Sequence, residues 1–275
     1  MFLNFNGEVR REDEALLRAD NRGFRYGDGL FETMLFRGGK VLLGAYHFER
    51  LHLGMRALRL EFQAAFSLAM LEEAVTGLCE RNALGGDCRV RLTVFRRGDG
   101  MYNLPERVAG FCIQVSAIPD GGWREAGLIV GVYHAGRKVR DMFSGIKSNN
   151  YLLSTLAGMD ARERGWDDCL LLNEAGRVVE SAVANVWLVR EGRVFTPPLS
   201  EGCVAGVMRR FLLERLSAAG YEVQEAPVGV GDLPGAEEVF LSNAIRGVQW
   251  VRRMGNSHYE CGMARAIYRD FIEKL

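Results

Sequence analysis

Glycine-bearing turns at short intervals, broken once by two successive helical stripes, constrain the fold of this chain more than any other feature. Asn6-Gly7 separates Met1–Phe5 from Glu8–Arg10 and predicts a hairpin. Gly27-Asp28-Gly29 feeds an apolar strand, Leu30–Phe36, and Arg37-Gly38-Gly39-Lys40 turns the chain into Val41–Leu43. The period then changes. Phe48, Leu51, Met55 and Leu58 share one helical face across His47–Leu60, with Arg50 and Arg56 off that stripe. A second helix runs over Leu68–Leu84 to the stop at Gly85-Gly86. Arg89–Phe95 and Ala109–Ala117 add two strands around the glycine-rich loop RRGDGMYNLPER. A sheet with two helices over one face is an α+β layer arrangement. The Pro119-Asp120-Gly121-Gly122 turn places a boundary between a domain of residues 1–122 and one of 126–275.

In the second domain Ala126–Tyr133 predicts a strand, and Gly136–Met142 a polar crossing with Arg137, Lys138 and Arg140. A helix over Asn150–Arg164 carries Leu152, Leu153, Leu156 and Met159 and is capped by Gly165. Asp168–Leu172 and Arg177–Ser181 pair across Asn173-Glu174-Ala175-Gly176, which leaves Glu180 late in a strand. Asn185–Val189 and Arg193–Thr196 form another hairpin around Glu191-Gly192. Gly202–Gly206 is a flexible run ahead of the helix Met208–Ala218, and unhindered backbone N–H groups at a helix start suit an anion. Phe240–Ala244 is a strand ending in small hydrogen-bonding residues, and Gly262–Glu273 is a closing helix.

Composition narrows the function. The formal net charge is zero and no basic block stands out, so nothing argues for nucleic acid. No apolar run approaches the roughly 18 residues of a spanning helix, and the N-terminus lacks a secretory pattern. The six cysteines are spread without a CxxC and read as reduced, which points to a cytoplasmic protein. Four histidines, His47, His52, His134 and His258, form no HExxH or cysteine-spaced cluster, so no metal site is expected. Neither GxSxG, GxxxxGK[ST] nor GxGxxG opening a βαβ unit is present.

Lysine usage is the chemical signal. The chain has four lysines against 31 arginines, and one of the four, Lys147, lies in GIKSNNYLL between a turn and a helix. An amine forms an imine with a carbonyl, which a guanidinium practically cannot; a loop lysine is also ordinary surface decoration. Lys147 with Glu180, Arg50 and the two small-residue loops supplies an amine, a carboxylate and several anion-binding donors, the set that pyridoxal phosphate requires.

Seven segments in order carry a resemblance. They are FRYGDGLFET (Phe24–Thr33), HFERL (His47–Leu51), IKSNNYL (Ile146–Leu152), VVESAVANVWLV (Val178–Val189), VFTPPL (Val194–Leu199), VAGVMRR (Val204–Arg210) and VFLSNAIRGVQWV (Val239–Val251). With them the chain resembles the fold-type IV (class IV) pyridoxal-phosphate enzymes, which include branched-chain and D-amino-acid aminotransferases and 4-amino-4-deoxychorismate lyases. The resemblance implies a smaller α+β N-terminal domain, a larger C-terminal cofactor-binding domain with a barrel-like sheet, and a homodimer. It implies that Lys147 is the Schiff-base lysine, Glu180 the partner of the pyridine nitrogen and Arg50 the phosphate-binding arginine. Val207 and Met208 stand at the backbone N–H groups that meet the phosphate, and Ser242, Asn243 and Ala244 in the second phosphate-side loop.

The same resemblance favours one reaction. VAGVMRR followed by SNA is similar to the lyase branch, and Phe31 stands where D-amino-acid enzymes carry tyrosine. Against the lyase, the Arg97 loop lacks a second basic residue after Gly98, and Glu32 beside Thr33 is not a threonine pair. The expectation is therefore 4-amino-4-deoxychorismate lyase, giving 4-aminobenzoate and pyruvate, with a class IV amino-acid aminotransferase, acting on branched-chain L-amino acids ahead of D-amino acids, as the alternative. Lys147 and Thr33 are the catalytic candidates; Phe31, Arg97 and Tyr102 are the substrate-binding ones.

Overall fold

Asn6 and Gly7 both take positive φ, 54° and 95°, and fold β1 (Phe2–Phe5) back on β2 (Glu8–Arg11) in the computed structural model. That geometry matches the twist of the flanking strands. The structure describes residues 1–98, 100–103, 105–118 and 122–275. Most of the Pro119–Gly122 turn that the sequence assigns to the boundary lies outside these residues, as do Asp99 and Leu104 of the glycine-rich loop.

The first sheet continues with β3 (Gly29–Arg37), β4 (Lys40–Val41), β5 (Glu61–Phe62), β6 (Cys88–Arg96) and β7 (Val108–Ala117). Its order is β2-β1-β7-β6-β3-β4, with β5 beside β7. Strand alternation sends Leu30, Met34 and Phe36 of β3 and Val90, Leu92 and Val94 of β6 into one core. The helices α2 (Gly44–Ala57) and α3 (Leu68–Arg81) fill it with Leu51, Met55, Leu71, Val75 and Leu78. Phe31, Thr33, Arg91 and Thr93 belong to the opposite face, because they are the odd members of the same alternation. A five-residue helix, α1 (Arg22–Tyr26), was not expected. Asn21 caps it by accepting the Phe24 N–H at 3.2 Å, and it is too short to show a stripe.

The first compact unit is Met1–Asp120 together with Ile146–Asn150, and the second is Gly121–Gly145 with Tyr151–Leu275. A single cut between residues 122 and 126 does not provide for that five-residue return. It is held by tertiary backbone bonds, which leave no periodic trace in a sequence.

The second unit holds β8 (Leu128–Val132), β9 (Asp168–Leu172), β10 (Arg177–Ser181), β11 (Asn185–Arg190), β12 (Arg193–Thr196), β13 (Val223–Glu225), β14 (Val228–Gly229), β15 (Glu238–Asn243), β16 (Gly247–Met254) and β17 (Ser257–His258). They run in the order β13-β12-β11-β15-β16-β8-β9-β10-β14, with β17 on β16. β8 lies parallel to both β9 and β16. The helix α4 (Leu152–Glu163) packs through Ala157 and Ala161 on Tyr133, Cys169 and Leu171. The helix α5 (Val207–Ala218) follows the glycine-rich run. The closing helix differs from its sequence expectation: α6 (Gly262–Ile267) widens into a π turn over Tyr268–Ile272, where the Glu273 N–H reaches the Tyr268 carbonyl at 3.0 Å. Two sheets, each with its own helices, make this an α+β chain. Among the described residues no helix is long and apolar enough to cross a membrane.

Candidate active site

Lys147 is fixed through its backbone. The Phe31 N–H donates to the Lys147 carbonyl at 2.9 Å, and the Asn149 N–H donates to the Gly29 carbonyl at 3.0 Å. The segment thus runs antiparallel along the start of β3, with Leu30 bridged to Ser148. Only glycine fits at position 29, since a Cβ there would stand 2.2 Å from the Val94 carbonyl oxygen and 2.6 Å from the Asn149 amide nitrogen. Ile146 anchors the segment in the core. The Lys147 amine lies 4.5 Å from the centroid of the Phe31 ring, and the Arg91 guanidinium 4.0 Å from the same ring. A cation against a ring face is stabilised by about 0.5–2 kcal/mol. Thr33, half-buried, is opposite Arg91 in the register and shares that face. The sequence expectation included Lys147, Phe31 and Thr33 but not Arg91.

Arg50 is occupied by a carboxylate. Its Nε donates to Glu32 Oε1 at 2.8 Å and its Nη2 to Oε2, while His47 Nδ1 meets Oε2 at 2.6 Å. Glu32 is 1% exposed and His47 fully buried. Burial pushes the Glu32 carboxyl up, but the Arg50 guanidinium and His47 outweigh it and hold the group down at about 2. Burial lowers His47 despite the adjacent carboxylate, so the imidazole is neutral and donates through Nδ1. Neither residue was among the site residues read from the sequence. The available signal was a charge at an inward position of β3, between Leu30 and Met34.

In the second unit, Glu180 is buried at the place where the register of β10 against β9 shifts. One of its oxygens pairs with the Lys138 ammonium, and the other accepts the Val204 N–H at 2.9 Å. Among the described residues no side chain caps the start of α5 at Gly206. Val207 and Met208 bury their side chains and can offer an anion only their N–H groups. A Cβ at Gly206 would stand 1.9 Å from Oδ1 of the buried Asn185, so that side chain would have to shift. Ser242 and Asn243 have structural duties: the Ser242 hydroxyl accepts the Trp187 indole N–H at 2.9 Å, and Asn243 Oδ1 accepts the N–H groups of Ile245 and Arg246 at 3.0 and 2.9 Å. Ala244 lies in the turn that Asn243 stabilises, leading into β16.

The glycine-rich loop divides its arginines. Arg96 is buried, pairs with Asp28 at 2.8 Å and donates to the carbonyls of Leu58, Arg59 and Glu106. Arg97 is exposed and reaches Gln63 at 3.3 Å. Tyr102 is 70% exposed and meets Tyr26 edge-on with ring centroids 6.1 Å apart.

The sequence matches the family described as amino-transferase class IV over residues 29–254. It is 31% identical over 232 residues to an aminodeoxychorismate lyase of Vibrio harveyi, with 83% of each chain covered. It is 30% identical over 247 residues to a putative branched-chain-amino-acid aminotransferase of Methanocaldococcus jannaschii, covering 88% of this chain and 84% of that one. The solved structure of a T.th. branched-chain amino acid aminotransferase with pyridoxamine 5'-phosphate is similar at a TM-score of 0.85 and 24% identity, covering 99% of this chain and 93% of that one.

Proposed function

The chain belongs to the class IV aminotransferase family, whose enzymes use pyridoxal phosphate, and on that premise we propose that its reaction is transamination of an apolar α-amino acid. The observation that carries this reading is the pair of cations at Phe31, the Lys147 amine at 4.5 Å and the Arg91 guanidinium at 4.0 Å from one ring. An α-amino acid has its carboxylate one carbon from its amine. A carboxylate held by Arg91 brings that carbon toward Lys147, with Phe31 as the apolar surface between them. The lyase reading is the second one, supported by the identity to the Vibrio harveyi enzyme. Its substrate carries two carboxylates; in the glycine-rich loop Arg96 is buried against Asp28, and Arg97, exposed and 3.3 Å from Gln63, is the loop cation that would serve them.

The donor set fits the cofactor. Lys147 is the amine that would hold the cofactor's carbonyl carbon and, when released, would serve as the base for the substrate α-proton. Glu180 would accept a hydrogen bond from the protonated ring nitrogen and favour that protonated form; with one bond from Lys138 and one from Val204, its oxygens keep acceptor capacity. Arg50 is the side chain that would hold the phosphate, and the uncapped start of α5 offers the N–H groups of Val207 and Met208 to an anion. Ser242, Asn243 and Ala244 line the second phosphate-side loop, and Thr33 orients substrate beside Arg91. The bound cofactor supplies an electron sink for the substrate carbanion.

The test uses holoenzyme and a panel of L- and D-amino acids without keto acid. Conversion of the cofactor to its pyridoxamine form by an apolar amino acid is expected. Production of 4-aminobenzoate from 4-amino-4-deoxychorismate, without that conversion, would select the lyase instead. Borohydride reduction should attach the cofactor to Lys147, as read by peptide mass.

We also read the chain as a homodimer. Leu152, Leu156 and Met159 recur at helical spacing on α4 and are 72%, 44% and 55% exposed. Met142 and Phe143 are exposed as well, at 77% and 46%. So much exposed apolar surface suits a second copy of the chain. Sedimentation equilibrium should give twice 30.7 kDa, and a monomer at micromolar concentration would sink this assignment.

A further inference from the structure

We propose that the buried pair Glu32 and His47 positions Arg50 for the cofactor's phosphate. The proposal rests on the reading of Arg50 as the phosphate-binding arginine. A guanidinium is planar and can offer a bidentate edge on either side of Nη2. Glu32 takes the Nε–Nη2 edge, with the Nε bond at 2.8 Å, and planarity then fixes the direction of the Nη1 corner. Glu32 is held in turn by His47 Nδ1 at 2.6 Å. β3 supplies the carboxylate and α2 supplies both nitrogen groups, so three side chains on two regular elements form one chain of contacts.

Two features say that this arrangement is not just a neutralised charge. His47 is fully buried and its Nε2 has no hydrogen-bond partner among the described residues. Leaving such an atom unmet costs about 1–3 kcal/mol, and the imidazole's polar contact is spent on Glu32. The second feature is electrostatic. A carboxylate bonded to an anion-binding arginine opposes the approach of a phosphate. Coulomb attraction alone therefore favours removing Glu32, and positioning alone favours keeping it. The sign of the mutational effect separates the two.

Positioning acts by cutting the ordering cost of a long, mobile side chain, about 0.5–1.5 kcal/mol for each immobilised side chain. The charged groups facing His47 are Glu32 on β3, Arg50 on its own helix and Lys147 on the returning segment.

The experiment measures dissociation constants of apoenzyme for pyridoxal 5'-phosphate and for pyridoxal, which lacks the phosphate. Their ratio isolates the phosphate contribution, and general damage to the fold would weaken both ligands. Glu32→Gln and His47→Leu should each reduce the ratio by about three- to tenfold. His47→Asn, whose amide can donate to Glu32 from the Nδ1 position, should restore it. A larger ratio in Glu32→Gln would mean that charge outweighs positioning and would overturn the proposal. Arg50→Ala tells a failure here from a failure of the reading beneath it. An unchanged ratio in Arg50→Ala removes Arg50 from the phosphate and the proposal with it. A reduced ratio in Arg50→Ala, with wild-type ratios in Glu32→Gln and His47→Leu, rejects the positioning role alone. In the Arg50→Ala background Glu32→Gln should change nothing more; a further drop would show Glu32 acting by another route.

Discussion

Two buried carboxylates are each paired with a cation, and they are built differently. Glu32 lies mid-strand, meets Arg50 through both oxygens and His47 through one, and is 1% exposed. Glu180 lies at a register shift, meets a lysine from a polar crossing and one loop N–H, and its lysine keeps 18% side-chain exposure. Regular elements fix the first arrangement before anything binds. The second depends on irregular backbone, and its lysine can turn to water. The difference predicts that Glu32 matters to the stability of the fold as well as to its site, and that Glu180 matters chiefly to chemistry.

The largest expected effect is at Glu32. Glu32→Ala takes the carboxylate away from a largely buried guanidinium and from the His47 imidazole N–H together, so unfolding free energy should fall by about 3–5 kcal/mol. Urea denaturation of the apoenzyme reads this directly. A loss below about 1 kcal/mol would erase the contrast with Glu180.

Acid should expose the same group. A carboxyl held at about 2 in the fold and near its ordinary value of 4.5 when unfolded binds fewer protons in the native state. Its contribution is complete above pH 4.5 and is lost as pH falls toward 2, for a total of about 3 kcal/mol. His47, also lowered by burial, adds to the loss as pH falls below its ordinary 6.5. Stability measured from pH 7 to 3 should fall less steeply below pH 4.5 in Glu32→Gln than in wild type. Parallel profiles would assign the acid sensitivity elsewhere.

Lys138→Met comes next. It leaves the Glu180 carboxylate with the Val204 N–H and part of its acceptor capacity unmet, at a cost of about 1–3 kcal/mol. Thermal unfolding should register a modest drop, and a drop as large as that of Glu32→Ala would make the two carboxylates equivalent.

The two regions were also unequally legible. Glu180 could be picked out because it ends a predicted strand inside a recognisable segment, VVESAVANVWLV. Glu32 stood in an equally recognisable segment, yet its role depends on α2 lying over the inward face of β3, and no single sequence position states that. The helix α2 was readable from its period, and β3, β6, β7 and α3 from apolar runs bounded by turn and glycine signals, because all of these causes are local. Arg91 was inside a predicted strand, but its use required knowing which face the helices cover. The return of Ile146–Asn150 along β3 is a pairing more than a hundred residues away in sequence, and periodicity cannot carry such information. The Asn6-Gly7 hairpin was legible for the opposite reason, since its whole cause is local.

The smallest expected effect on stability gives the sharpest test of the comparison. Glu180→Gln keeps an oxygen for the Val204 N–H and keeps the shape of the side chain. It removes the ion pair with Lys138, whose ammonium can turn toward solvent, so unfolding free energy should change by no more than about 1 kcal/mol. The amide cannot favour a protonated ring nitrogen as an anion does, so turnover should fall by about a hundredfold while the cofactor stays bound. Measuring cofactor content, stability and turnover on one preparation separates these effects. Near-wild-type turnover would remove Glu180 from the chemistry, and a stability loss of several kcal/mol would show that it is as structural as Glu32.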